Sequence, residues 1–154
     1  MVTAQQICTW LEQVPDPEIP SLSVVDLGIV RGTAWHGDEL EVTITPTYSG
    51  CPAMAMIAHD IEAALRSHGV QRVRLKTQLS PPWTTDWLSP EGREKLRATG
   101  IAPPLLNVIA PVVPCPHCGS HSTECVSSFG STACKALYRC RTCREPFDYF
   151  KRLA

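Results

Sequence analysis

Apolar residues along the first hundred positions recur in two alternating periods. Ile7, Trp10, Leu11 and Val14 fall at helical spacing behind Thr3, whose hydroxyl can cap, so a helix is read over Thr3–Val14. Pro15, Pro17 and Pro20 then exclude helix and favour an extended loop leading to the turn at Leu27-Gly28. Ile29–Trp35 and Leu40–Thr45 read as strands joined through His36-Gly37-Asp38, and in the second Leu40, Val42 and Ile44 alternate with polar residues. Met54, Ile57, Ile61, Ala64 and Leu65 return to helical period, with Pro52 near the start and Gly69 at the stop, predicting a helix over Cys51–His68. Val73, Leu75, Thr77 and Leu79 alternate with Arg72, Arg74, Lys76 and Gln78, predicting a third strand.

The order α-β-β-α-β predicts a small α+β sandwich with its helices on one face of a sheet. A further short helix is read from Ser89-Pro90-Glu91 to about Gly100. The domain boundaries drawn are 1–101 for the sandwich, 102–114 for a proline-rich, uncharged linker that could instead supply a first strand, and 115–154 for a separate module.

That last module carries the strongest chemical pattern. Cys115-Pro-His-Cys118 and Cys140-Arg-Thr-Cys143 are two Cys-x-x-Cys knuckles, separated by 21 residues. Four thiolates so spaced can surround one ion tetrahedrally, the geometry of a structural Zn²⁺, and Gly119 suits the reversal around it. A zinc ribbon is therefore expected at the C-terminus. Cys125 and Cys134 lie between the knuckles as packing residues or as ligands of a second site, and an iron–sulfur cluster is the alternative occupant. His117 and His121 stand beside the first knuckle, where four cysteines already satisfy an ion.

Composition narrows the function classes. No apolar run reaches the ~20 residues of a membrane span, and MVTAQQICTWLEQV has neither part of a secretory signal. Eight cysteines in that setting imply thiol and metal chemistry in a reducing compartment, so a cytoplasmic protein is expected. Net charge is −1, but residues 115–154 hold six Lys/Arg against three Asp/Glu, while the preceding 114 hold eight against twelve. Such a weakly basic module on an acidic body argues against nucleic acid. It fits docking to another protein, with Lys135, Arg139, Arg141 and Arg144 offering the complementary charge.

Cys51 is the second candidate site. At the strand-to-helix turn, a thiol at the helix N-terminus would be favoured as thiolate, able to hold iron or attack an electrophile; a small packed residue is the alternative. Asp16, Glu18 and Asp26 are nearby carboxylates if the loop folds back, or ordinary turn residues. His59, eight residues past Cys51, is poorly placed for a Cys–His dyad. Trp83 and Trp87 are read as a recognition surface or, alternatively, as loop anchors.

Four separated motifs now converge: Asp16-Pro17-Glu18-Ile19-Pro20, Val25-Asp26-Leu27-Gly28, Thr45 through Pro52, and Pro81-Pro82-Trp83. Together they resemble the MIP-type iron–sulfur cluster assembly family over roughly residues 5–100. In that family the cysteine matching Cys51 handles iron or clusters, and Asp16 and Asp26 match motif positions. With Ser128–Cys140 and Glu145–Lys151 added, nearly the whole chain resembles the family of D subunits of the bacterial phenylacetyl-CoA epoxygenase (epoxidase) of aerobic phenylacetate breakdown. The resemblance implies a non-catalytic accessory subunit that assists iron or cluster delivery to the reductase or oxygenase subunit, with a homodimer left open. The chain has no di-iron Glu-x-x-His pair and no dinucleotide fingerprint, so neither partner's chemistry is its own. A zinc-ribbon nucleic-acid regulator and a Cys51-dependent thiol enzyme are the alternatives.

Overall fold

A computed structural model describes residues 1–48, 50–105 and 112–152. The chain forms two compact units, one of residues 1–83 and 87–89, the other of residues 84–86 and 90–154. The first is the expected mixed layer of helices and sheet. Helix α1 (Ala4–Leu11) begins at a capping box in which Thr3 and Gln6 serve each other's backbone. Eight residues make a marginal helix alone, so α1 depends on burying Ile7 and Leu11, each contributing roughly 1.5–3 kcal/mol.

Strands β1 (Val30–His36) and β2 (Glu39–Ile44) form a hairpin closed by Gly37-Asp38, where Gly37 takes the positive φ of 64° that a primed two-residue turn requires. Helix α2 (Met54–Ser67) then carries the chain across to β3 (Arg72–Thr77), which pairs parallel to β2 in the sheet order β1-β2-β3. Leu40, Val42 and Ile44 on β2 are buried, as are Ile57, Ile61 and Leu65 on α2. The indole of Trp10 stacks on His68 at 4.4 Å between ring centres, joining α1 to the end of α2.

Two boundaries differ from the sequence reading. Strand β3 ends at Thr77, and Leu79 stands 67% exposed ahead of the Pro81-Pro82 break. Helix α2 starts at Met54, three residues after Cys51. Two tight turns pre-empt the first helical turn: Cys51 N donates to the Tyr48 carbonyl (3.2 Å) and Met54 N to the Cys51 carbonyl (3.3 Å). The first four-residue helical bond is Ile57 N to Ala53 O.

In the second unit, α3 (Pro90–Ala98) leads through Gly100 into β4 (Ile101–Ala102). Strands β5 (Thr123–Ser127), β6 (Lys135–Cys140) and β7 (Pro146–Phe150) complete a sheet ordered β4-β7-β6-β5, with β4 parallel to β7. Strand β4 thus straddles the boundary drawn at 101/102, taking Ala102 from the expected linker, and α3 lies in this second unit rather than with the sandwich. Residues 106–111, the heart of the predicted linker, lie outside the described residues. The core here is small: Ala102, Val113, Cys115, Ala136, Cys140, Phe147 and Tyr149.

Candidate metal centre and transfer thiol

The knuckles meet. Cys115 Sγ lies 3.8 Å from Cys143 Sγ and Cys118 Sγ lies 3.6 Å from Cys140 Sγ, with all four sulfurs within 4.8 Å of one another. Four thiolates about 2.3 Å from a central ion sit roughly 3.8 Å apart at the corners of a tetrahedron. The donor set therefore fits one four-sulfur ion. Backbone amides support the sulfurs: His117 N donates to Cys115 Sγ and Cys143 N to Cys140 Sγ, both at 3.4 Å.

Each knuckle turns through a left-handed residue directly after its second cysteine. Gly119 (φ 77°) does so in the first, as expected, but Arg144 (φ 65°) does so in the second, a position with no glycine to signal it. Ser120 Oγ and Thr142 Oγ1 join the two knuckles at 2.8 Å, a link that no sequence signal marked. The Cys143 amide, with burial opposing and Thr142 and the neighbouring thiols helping, draws Cys140 down to about 6. At Cys143 the Glu145 amide pulls the other way, but burial and the crowding of Cys140, Cys115 and Cys118 outweigh it and push the thiol up to about 12. Four sulfurs this close cannot all ionise without a cation among them.

Among the described residues, these four cysteines are the only group of three or more Cys, His, Asp or Glu donors placed to hold a metal. Cys125 is exposed on β5 opposite Tyr138, and Cys134 is buried beside Thr132 Oγ1 at 3.0 Å. His117 leans toward the Phe147 ring. Lys135, which the sequence offered for docking, is only 6% exposed, with its ammonium on Ser131 Oγ at 3.3 Å. Its backbone carbonyl takes the Gly130 amide, and its stem is covered by that loop.

In the first unit, Cys51 is half-buried on the turn between β2 and α2, and among the described residues its sulfur has no hydrogen-bond partner. Thr45, Pro46, Thr47, Tyr48, Leu79, Pro82 and Trp83 line a groove of about 270 Å³ on the same loop system. Asp16 and Asp26 do not join Cys51 in a donor group. Asp16 Oδ1 accepts the amides of Glu18 and Ile19, both at 2.8 Å, and so holds the proline loop. Asp26 Oδ2 accepts Ser23 N at 3.0 Å, while its Oδ1 takes the Ser89 hydroxyl at 3.3 Å. Both carboxylates are buried. Trp83 is an anchor: it is buried and its indole N–H donates to Leu27 O at 2.8 Å. The Trp87 ring is covered by the Arg31 guanidinium at 3.5 Å.

Residues 4–75 match the iron–sulfur cluster assembly protein family, and residues 106–151 match the PaaD zinc beta ribbon domain. An Escherichia coli K12 protein, provisionally named as the D subunit of 1,2-phenylacetyl-CoA epoxidase, is 50% identical over 95% of this chain and 91% of its own length. An Fe-S protein maturation auxiliary factor of Porphyromonas gingivalis is 34% identical over 61% of this chain and 90% of that protein. Among solved structures, the domain of unknown function DUF59 from Bacillus anthracis superposes with a TM-score of 0.56 at 27% identity, covering 60% of this chain and 90% of that one.

Proposed function

Because this chain belongs to the PaaD family, the D subunits of 1,2-phenylacetyl-CoA epoxidase, we propose that it matures its partner subunits through Cys51. Its role is accessory, in iron–sulfur or iron handling, and its assembly-family domain carries that role. The finer reading is a non-catalytic, cytoplasmic protein that delivers iron or a cluster to the epoxidase's reductase or oxygenase subunit. No helix among the described residues is long and apolar enough to cross a membrane.

One observation carries the choice of Cys51. The only multi-donor metal group described is a closed set of four sulfurs, and a closed site offers no position for exchange. Of the remaining thiols, burial pushes Cys8 up, with Glu12 adding to it, Cys134 is buried, and Cys125, though exposed, lies on β5 outside the assembly-family match of residues 4–75. Cys51 is half-buried within the assembly domain itself, and its sulfur has no hydrogen-bond partner among the described residues. One protein thiolate binds cargo weakly enough to give it up. Release is ligand exchange: the Cys51 sulfur–iron bond breaks as an iron bond to a partner's ligand forms, with no change of oxidation state.

Cys115, Cys118, Cys140 and Cys143 hold zinc, which supplies a structural tie to a module with few buried residues and takes no part in transfer. Asp16 and Asp26 position the loops around the turn through the backbone amides they accept. A nucleic-acid role has less support, since Lys135 is buried and Arg141 is paired with Glu124 at 3.1 Å. Replacing Cys51 by Ser in cells grown on phenylacetate tests the reading. Cluster occupancy of the reductase, or iron in the oxygenase, should fall while zinc in this chain stays at one per molecule; fully loaded partners would contradict it.

A further inference from the structure

The loop from β5 to β6 holds an aromatic ring out in water and spends several hydrogen bonds doing so. Phe129 is 71% exposed, and Val126, at the irregularity in the β5–β6 register, is 58% exposed. The loop is nonetheless fixed. Ser127 Oγ donates to Phe129 O (2.9 Å) and accepts from Phe129 N (3.2 Å), and Gly130 N donates to Lys135 O (2.7 Å). Lys151 Nζ donates to Ser128 O at 2.8 Å and lies 4.7 Å from the centre of the Phe129 ring. A Cβ on Gly130 would come within 3.3 Å of Lys135, so the turn is closely packed as well.

A pre-ordered, exposed aromatic loses little freedom on binding, and such rings dominate interface energies when they fill a pocket. The cation beside it is Lys151, against the ring, in a module of six Lys/Arg against three Asp/Glu; Asp148 Oδ1 lies behind the loop, 3.4 Å from where a Cβ on Gly130 would stand. We propose that Phe129 is the anchor by which this unit docks on another epoxidase subunit. The surface that receives it is an apolar pocket for one ring with carboxylates at its rim, facing Lys151. This rests on the reading that the chain serves partner subunits, and it names the contact that would hold them.

The test uses the full-length, zinc-loaded chain against purified reductase and oxygenase subunits separately, by surface plasmon resonance at low and moderate salt. Phe129→Ala should weaken binding to one of them by about tenfold or more, in the range for truncating a central aromatic, and Phe129→Tyr should restore most of it. Lys151→Gln should weaken binding at low salt and flatten its salt dependence. Zinc content and melting of Phe129→Ala should match the wild type, since the ring packs on little. Three results overturn the proposal: equal affinity for Phe129→Ala, no binding of either subunit to the wild type at tens of micromolar, or sedimentation showing that Phe129 instead holds two copies of this chain together. Cys51→Ser should bind partners normally, so failure of docking and failure of transfer are separately visible.

Discussion

Gly28→Ala should loosen the first unit by more than a glycine turn normally costs. Gly28 sits at φ 70°, where an L residue costs about 1–2 kcal/mol. A methyl there would also stand 2.6 Å from the Trp87 carbonyl oxygen and 2.8 Å from Trp87 Cβ. That backbone cannot rotate aside as a side chain could, so the Trp87 segment must shift, disturbing the Arg31 stack, itself worth roughly 0.5–1 kcal/mol. The sum is about 1.5–3 kcal/mol. Gly69→Ala is the control, because Gly69 has φ 93° and open space where a methyl would stand, leaving the backbone term alone. All four tryptophans, Trp10, Trp35, Trp83 and Trp87, lie in the first unit, so tryptophan fluorescence in urea reads that unit without the ribbon. With a slope of about 1–2 kcal/mol per molar urea, the Gly28→Ala midpoint should fall roughly 0.5 M below that of Gly69→Ala. Equal midpoints would refute the close approach of Trp87 to this turn.

Asp16→Ala removes the acceptor for two loop amides and should cost about 1–2 kcal/mol in the same fluorescence assay; no loss would contradict its role in holding the proline loop. In the metal-free ribbon Cys143 keeps its proton far above neutral pH while Cys140 loses its proton near 6, so zinc loading at pH 7 must expel protons and apparent affinity must rise with pH. Calorimetry in two buffers of different ionisation heat counts those protons, and zero release would contradict the four-thiolate site. Cys140→Ala should abolish stoichiometric zinc binding and unfold the ribbon by circular dichroism, leaving the tryptophan transition of the first unit in place.

The elements most legible in the sequence were those where one local signal agreed with the burial pattern. Thr3 and the spacing of Ile7 and Leu11 announce α1, Gly37 announces the hairpin, and the alternation of Leu40, Val42 and Ile44 marks the buried face of β2. The knuckles were legible because ligand spacing is itself geometry. The start of α2 was not, since Pro52 suits a first helical turn equally well whether or not two preceding turns have captured the amides. Lys135 looked available because burial of a long side chain depends on a loop folding over it, and Gly130 gives no sign of that in sequence. Arg144 was missed because its left-handed φ is imposed by the second knuckle and not by its own preference. Asp16 and Asp26 carried candidate-site status from motif position, while their amide contacts became visible only in the folded loops.

The division of labour between a closed zinc site and a single transfer thiol is tested most directly by metal and sulfide analysis of protein purified without oxygen. Wild type and Cys51→Ser should each hold one zinc in the four-cysteine site, and the wild type should carry additional iron that Cys51→Ser lacks. Iron retained without Cys51, or lost only when Cys115 or Cys140 is replaced, would place the cargo in the ribbon and contradict the account.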